Sequence, residues 1–288
     1  MSGGMTLAVA SGKGGTGKTT VAVGMALALG GQARLLDCDV EAPNCQLFLK
    51  AEIAFRETLG VPVPRVDKAK CTACGQCADI CQFNAIAVVK AGAMVFAELC
   101  HGCGGCARVC PTGAVSETPR EIGVLETGRA GGVEFVQGRL RVGEALAPPL
   151  IRAVKRHARP NRVNIVDCPP GTSCSMVAAV KGADFALLVT EPSPFGLHDL
   201  TLAVDTVRQI GVPIGVVINR ADIGDGRVRD YCAAERIEIL MEIREDRRIA
   251  GAYSRGENIV AAASDMAEGL RAVAARARAL AARGKETT

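Results

Sequence analysis

The chain of 288 residues has no Trp, two Tyr and seven Phe. That scarcity removes the aromatic platforms on which single-stranded nucleic acids stack. Charge of one sign is not in excess either. The 34 Lys and Arg against 30 Asp and Glu leave +4, too little to imply a nucleic-acid partner. No apolar run nears the ~18–20 residues of a membrane span; the stretches 183–190 and 212–218 have the length of buried strands. The N-terminus lacks the basic region, apolar core and cleavage site of a signal peptide. The expected setting is therefore cytoplasmic, with neither nucleic-acid nor membrane binding. His101, His157 and His198 are the three histidines, and none has a ligand partner at motif spacing, so all read as structural or surface residues.

Hydrophobic residues make up 49% of the chain, which fits a globular protein, and 288 residues suffice for either one large domain or a main domain with a small companion. The 13 cysteines in 288 residues fall below the roughly 8–10% of a disulfide scaffold. Eight of them form two tight groups, which favours metal in a reducing compartment.

The stretch that organises the rest is S-G-K-G-G-T-G-K-T-T, residues 11–20. It follows an apolar run, Met5 to Ala10, that reads as a buried strand, and precedes a helix former, Val21 to Leu29. Strand, glycine-rich loop and helix are the context of a phosphate-binding loop. Gly12, Gly14, Gly15 and Gly17 let the backbone wrap an anion, with Thr16 and Thr20 alongside. The helix N-terminus adds partial positive charge. Lys18 is placed for the outer phosphates, and the Thr19 hydroxyl for Mg²⁺. The alternative is a flexible glycine turn before an ordinary helix.

A second lysine, Lys13, lies inside the loop. G-K-G-G-T-G-K-T-T resembles the deviant Walker A loop of the MinD/ParA/nitrogenase-iron-protein class of ATPases. The resemblance implies a doubly wound, mainly parallel α/β sheet and a dimer in which Lys13 crosses to the partner's nucleotide. It gives Asp39, in D-C-D after the second strand 33–36, the task of orienting the attacking water, and Asp37 a supporting place beside Mg²⁺. Asp167 closes the apolar strand 164–166, the Walker B arrangement. D-C-P-P-G-T resembles switch II of the Mrp/MinD branch, so Gly171 is expected to offer an N–H to the γ-phosphate. Asn219, after the strand 213–218, matches that class's adenine contact; a turn-forming Asn is the alternative.

Cys71, Cys74, Cys77 and Cys81 have the spacing C-x₂-C-x₂-C-x₃-C, and Cys100, Cys103, Cys106 and Cys110 repeat it 29 residues later. This is the run of a bacterial two-cluster ferredoxin, in which the fourth cysteine of each group serves the other cluster. Cys71, Cys74, Cys77 and Cys110 are thus expected to hold one [4Fe–4S] cluster, and Cys100, Cys103, Cys106 and Cys81 the other. Zinc is the rival metal, although two Cys₄ sites more usually show paired C-x₂-C groups set apart. Pro111 follows Cys110 as the pattern expects, whereas Gln82 follows Cys81. Cys38, Cys45 and Cys232 read as packed thiols; Cys168 and Cys174 flank the D-C-P-P-G-T segment, where an intersubunit cluster is the alternative.

Pro62 and Pro64 read as a linker into an inserted small α+β ferredoxin domain, residues 62–120. The ATPase core is then residues 1–50 plus 122–288. Val124, Leu125, Val133, Phe135, Leu140 and Val142 suggest a hairpin returning to the parent sheet, and a helix is expected from Asp199 to Ile210. A terminal Ala/Arg helix, 266–282, reads as docked on the body or as a solvated tail rather than as a membrane anchor. The nesting resembles MinD-superfamily ATPases with an inserted ferredoxin domain. It implies a slow, partner-stimulated ATPase, ATP, ADP and Mg²⁺ as ligands, and two [4Fe–4S] clusters. It further implies a nucleotide-dependent homodimer, or a heterodimer with a paralogous ATPase, and a small metallocluster-binding or redox protein as partner. The function expected is nucleotide-gated electron transfer or metallocluster delivery. The alternative is a MinD/ParA-like spatial organiser, in cell division or positioning, with a redox-sensing insert.

Overall fold

The computed structural model describes residues 4–255, 257, 260 and 263–286. A nine-stranded sheet forms its centre, in the order β11-β10-β9-β1-β8-β2-β7-β6-β3. The strands are β1 (Met5–Ala10), β2 (Ala33–Asp37), β3 (Glu52–Val66), β6 (Val115–Ala130), β7 (Val133–Leu140), β8 (Val163–Asp167), β9 (Phe185–Thr190), β10 (Ile214–Asn219) and β11 (Glu238–Ile243). The seven from β11 to β7 pair in parallel; β6 and β3 add antiparallel neighbours at one edge. Strands such as F-A-L-L-V-T are apolar on both faces because helices cover both. The helices α5 (Ala147–Lys155), α6 (Cys174–Val180), α7 (Pro194–Ile210) and α8 (Arg227–Ala234) pack on one face. The helices α1 (Lys18–Leu29), α2 (Cys45–Leu49), α9 (Arg247–Ser254) and α10 (Ser264–Glu286) pack on the other.

The helix α1 is apolar nearly all round because it lies between the sheet and α10, whose Leu270 and Val273 are buried. Arg271 of α10 donates to the Ala28 carbonyl at 3.3 Å. The terminal helix is thus docked on the body. Among the described residues no helix is long and apolar enough to cross a membrane.

The linker expected at Pro62 and Pro64 is strand instead. Both lie in the 15-residue β3, whose partner β6 places Pro62 opposite Pro119 and Pro64 opposite Glu117. Proline lacks the N–H that a central strand must donate, but β3 is the last strand of the sheet and leaves one side unpaired. The hairpin expected after residue 122 begins earlier, at Val115, and ends at Leu140; Val142 lies outside it, fully exposed. The helix expected from Asp199 starts at Pro194, because the Ser193 hydroxyl accepts the Gly196 N–H at 3.0 Å and Pro194 suits the first turn.

Between β3 and β6 the chain leaves the sheet. Residues 67–114 form α3 (Gln76–Asp79), the hairpin β4 (Ile86–Val89) and β5 (Gly92–Val95), and α4 (Gly105–Val109). A separate small core of Cys77, Ile86, Cys106 and Val115 holds this unit together.

Candidate functional site

Parallel strands deliver their carboxyl ends to one edge of the sheet, where ligands of such sheets are held. Here that edge gathers the glycine-rich loop after β1, the D-C-D segment after β2 and the D-C-P-P-G-T segment after β8. Register places Asp37 beside Asp167 and Val9 beside Asp167. A cleft of about 450 Å³ opens there. Its walls include Gly14, Gly15, Gly17, Lys18, Thr19 and Thr20 from the loop, Asp39 and Asn44, Pro170, Asn219, and the segment 243–246.

Lys18 and Thr19 open α1 and are 6% and 8% exposed. The Lys18 ammonium lies 2.7 Å from Asp167 Oδ1 and 3.8 Å from Asp39 Oδ2. The Thr19 hydroxyl donates to Asp167 Oδ2 at 2.8 Å. Asp37 is fully buried and accepts the N–H groups of Asp39 and Cys45, each at 3.1 Å. Burial alone would weaken the Lys18 ammonium, but attraction to Asp167, their hydrogen bond and Asp39 hold its pKa above the ordinary value. Burial, then the neighbouring Asp167 charge, pushes Asp37 up to about 7. Burial also pushes Asp39 up to about 6; Lys18 opposes this, while Asp167 and Glu41 add to it. Three carboxylates thus share one ammonium, so the site has room for further positive charge. Directly opposite, the α1 N-terminus has no side-chain cap and no acid in its first turn, which leaves its N–H groups to an anion.

Gly17 is required by two independent constraints. Its φ is +92°, and a Cβ there would lie 2.3 Å from Asn219 Nδ2. That amide donates to the Thr16 carbonyl at 2.9 Å and so clamps the loop to β10. Asn219 therefore has an anchoring contact as well as a place on the cleft wall. The buried Thr16 hydroxyl has no partner.

Two expectations meet a different geometry. Lys13 is not on the cleft wall: its ammonium sits 2.5 Å from Glu191 Oε1 of the same chain, and Arg220 holds the other oxygen of Glu191 at 3.3 Å. Glu191 directly follows β9. The Gly171 N–H donates to the Ser11 carbonyl at 2.9 Å and does not point freely into the cleft; its φ of +87° makes this turn. Cys45, read as a packed thiol, is buried but also donates to Asp167 Oδ2 at 3.2 Å. Asp37, Cys45 and Asp167 bring three ligand atoms within 4.8 Å of one another. Glu191 was legible by the signal that found Asp167, an acid closing an apolar strand. Cys45 had no such signal. Cys38 and Cys232 are buried thiols as expected; Cys168 is buried and pushed up to about 12 by that burial, and Cys174 is exposed.

The eight grouped cysteines line two small cavities in the unit 67–114. Cys71, Cys74, Cys77 and Cys110 share one; Cys81, Cys100, Cys103 and Cys106 share the other. The fourth cysteine of each sequence group has crossed to its counterpart. Backbone N–H groups point at the crossing sulfurs in matching fashion, Ala85 to Cys81 at 3.3 Å and Ala114 to Cys110 at 3.2 Å. Pro62, Pro64 and Glu117 of the β3–β6 ribbon wall the second cavity, which is proximal to the sheet. The first is walled by Val115, at the far end of the ribbon.

The CobQ/CobB/MinD/ParA nucleotide binding domain family matches residues 7–259. An uncharacterized protein of Methanocaldococcus jannaschii is 34% identical over 226 residues, 75% of this chain and 78% of that protein. The iron-sulfur cluster carrier protein of Aquifex aeolicus is 26% identical over 274 residues, 88% of this chain and 61% of its own length. The septum site-determining protein MinD of Pyrococcus horikoshii, complexed with Mg-ADP, covers 94% of both chains with a TM-score of 0.57 and 19% identity, a likeness of fold. With that family matched over most of its length, and with its glycine-rich loop at the carboxyl edge of a parallel sheet, the chain belongs to the CobQ/CobB/MinD/ParA P-loop nucleotide-binding proteins.

Proposed function

We propose that this protein is an ATP-hydrolysing iron–sulfur protein that couples nucleotide turnover to electron transfer or metallocluster delivery. Its nucleotide-binding core is residues 1–50 and 122–288, and residues 62–120 are an inserted ferredoxin-type domain. The observation that carries the reading is the pair of cavities, each walled by four cysteines in the crossed set. A tetrahedral zinc bonded at ~2.3 Å would draw its four sulfurs to within about 4 Å of one another. Among the described residues only Asp37, Cys45 and Asp167 bring three ligand atoms within 4.8 Å, so no three of the eight cysteine sulfurs are that close. The wider spacing and the N–H groups aimed at sulfur suit two [4Fe–4S] clusters, which supply one-electron chemistry at potentials those hydrogen bonds tune.

At the nucleotide site, Thr19, Asp167, Asp37 and Asp39 are the residues that would hold Mg²⁺, which neutralises phosphate charge. The backbone of Gly12, Gly14, Gly15 and Gly17, with Thr16 and Thr20, cradles the phosphates of ATP. Lys18 exchanges Asp167 for a phosphate oxygen. Asp39 orients the attacking water; its raised pKa leaves it a better proton acceptor than an ordinary Asp. Asn219 meets the adenine edge with its carbonyl, since its amide is on Thr16. Gly171 leaves Ser11 for the γ-phosphate, and Lys13 leaves Glu191 to reach across a nucleotide-dependent dimer, homotypic or with a paralogous ATPase. The partner served is a small redox or metallocluster-binding protein. The Aquifex relative, named as an iron-sulfur cluster carrier, supports the second half of the reading.

Anaerobic purification followed by metal analysis and phosphate-release assay tests it. About eight iron atoms per chain and measurable MgATP hydrolysis are expected. Zinc in place of iron removes the cluster half, and absence of turnover with every partner tried removes the enzymatic half.

A further inference from the structure

One row of side chains runs across five strands of the sheet, and nothing in nucleotide binding alone calls for it. Asp167 on β8 is in register with Asp37 on β2, Asp37 with Gln137 on β7, Gln137 with Glu126 on β6, and Glu126 with Arg56 on β3. The four strand-to-strand steps span ~19 Å. Asp167, Asp37, Gln137 and Glu126 are 0–3% exposed. On one side the row is flanked by Leu36, Val136 and Leu125, apolar and buried. Burying such groups carries a cost that apolar residues of the same size avoid.

Hydrogen bonds and an ion pair join the row in two parts, Asp167 with Asp37 through Cys45 and Gln137 with Glu126 and Arg56, and the chain of α2 links the parts. Gln137 Nε2 donates to Glu126 Oε2 at 2.5 Å and to Gln46 Oε1 of α2 at 3.0 Å. Gln46 in turn donates to the Ala51 carbonyl, where β3 is about to begin, at 3.4 Å. The neighbouring Cys45 donates its N–H to Asp37 and its thiol to Asp167. Arg56 and Arg139 close on Glu126 from outside. The short helix α2 is therefore fixed on one side to the acids of the phosphate site and on the other to the root of the β3–β6 ribbon. That ribbon runs ~23 Å from Glu126 to Pro119 and walls the proximal cysteine cavity with Pro62, Pro64 and Glu117.

We infer that the ribbon is a lever, and that occupancy of the phosphate site is transmitted through α2, Gln137 and Glu126 to the cavity of Cys81, Cys100, Cys103 and Cys106, and not to the distal one. The inference rests on the proposed nucleotide and cluster sites and deepens them: it names the regulated group and the route. A change at Asp37 and Asp167 when a nucleotide's phosphates and cation arrive must move or strain Cys45. Cys45 and Gln46 are consecutive in α2, and Gln46, half-buried, is held at both ends of its amide by Gln137 and the Ala51 carbonyl.

The test is hydrogen exchange of the intact protein, prepared anaerobically, with MgADP and with a slowly hydrolysed Mg-ATP analogue. Wild type is expected to show at least a threefold difference between the two nucleotides in exchange across 58–66 and 115–123, with little difference in 71–77. Gln137→Leu and, as a milder change that keeps shape, Glu126→Gln are expected to bind both nucleotides and lose that difference. Identical exchange of the ribbon with both nucleotides in wild type overturns the inference, as does a difference that survives in either variant. Nucleotide affinity and turnover, measured on the same samples, separate the two failures. A protein that binds and hydrolyses ATP with an indifferent ribbon loses only the lever, and one that binds no nucleotide loses the functional reading and the lever with it.

Discussion

Lys18→Met isolates the charge at the centre of the site, because methionine keeps the buried stem and removes the ammonium. In the wild type that ammonium is 2.7 Å from Asp167 and 3.8 Å from Asp39, with side-chain exposures of 7%, 0% and 14% respectively. Removing one partner of a buried ion pair costs about 3–5 kcal/mol, since the other charge is left uncompensated. For a chain of this size one kcal/mol moves Tm by ~2–4 °C, so a fall of ~6–20 °C is expected at pH 8 without nucleotide. The loss should depend on pH with a definite sign. The folded-state pKa values of Asp37 and Asp39 are raised to about 7 and about 6. The folded state therefore holds protons that the unfolded chain releases near pH 4, and the stability this gives is lost as pH rises towards 7. At pH 5.5 both carboxyls are mainly protonated, so less negative charge faces the missing ammonium. The wild-type-minus-variant difference should then shrink to about half or less of its pH 8 value. Thermal unfolding of both proteins at pH 5.5 and 8 by circular dichroism measures it. An equal loss at both pH values, or none at pH 8, would refute the picture of three acids sharing one cation. The same variant should show no ATP turnover and unchanged brown cluster absorption.

Gly17→Ala forces a Cβ against Asn219 Nδ2 and a left-handed φ on alanine. Strain of ~1–2 kcal/mol plus a hydrogen bond worth ~1 kcal/mol should weaken ATP analogue binding tenfold or more by fluorescence titration; unchanged affinity would take this loop out of the site. Crossed ligation makes Cys81→Ser and Cys103→Ser redundant: each alone and both together should leave about four iron atoms per chain, whereas Cys81→Ser with Cys74→Ser should strip both clusters. A Cys81→Ser, Cys103→Ser double variant without iron would show that the groups ligate uncrossed. Glu191→Gln frees Lys13 from a partly exposed pair worth up to about 1 kcal/mol. With two such lysines in a dimer, sedimentation should show the ATP-dependent dimer tightening about two- to thirtyfold; a weaker dimer would mean that Glu191 acts at the interface itself.

Features carried by neighbouring residues were legible in the sequence, and features carried by register were not. The loop 11–20 announces itself because its strand, glycines and helix are consecutive, and the cysteine groups because ligation requires fixed short spacings. The terminal acids Asp37 and Asp167 were visible as charges closing apolar strands. The row from Asp167 to Arg56 had no such signature. The apolar alternation around Glu126 and Gln137 marks a hairpin but not its neighbours, and only the pairing of β6 with β7, and of β7 with β2, brings these two into line with Asp37. The two prolines of β3 misled for a physical reason. Proline in a run of Val and Arg argues against a strand only if both sides of that strand must be paired, and nothing local says that β3 has one open side. That open side explains why prolines suit the position. A 15-residue strand with an unpaired edge would recruit another chain, and residues without an N–H at positions 62 and 64 interrupt such pairing. They do so at the stretch that also walls the proximal cysteine cavity, where an added strand would press on whatever that cavity holds.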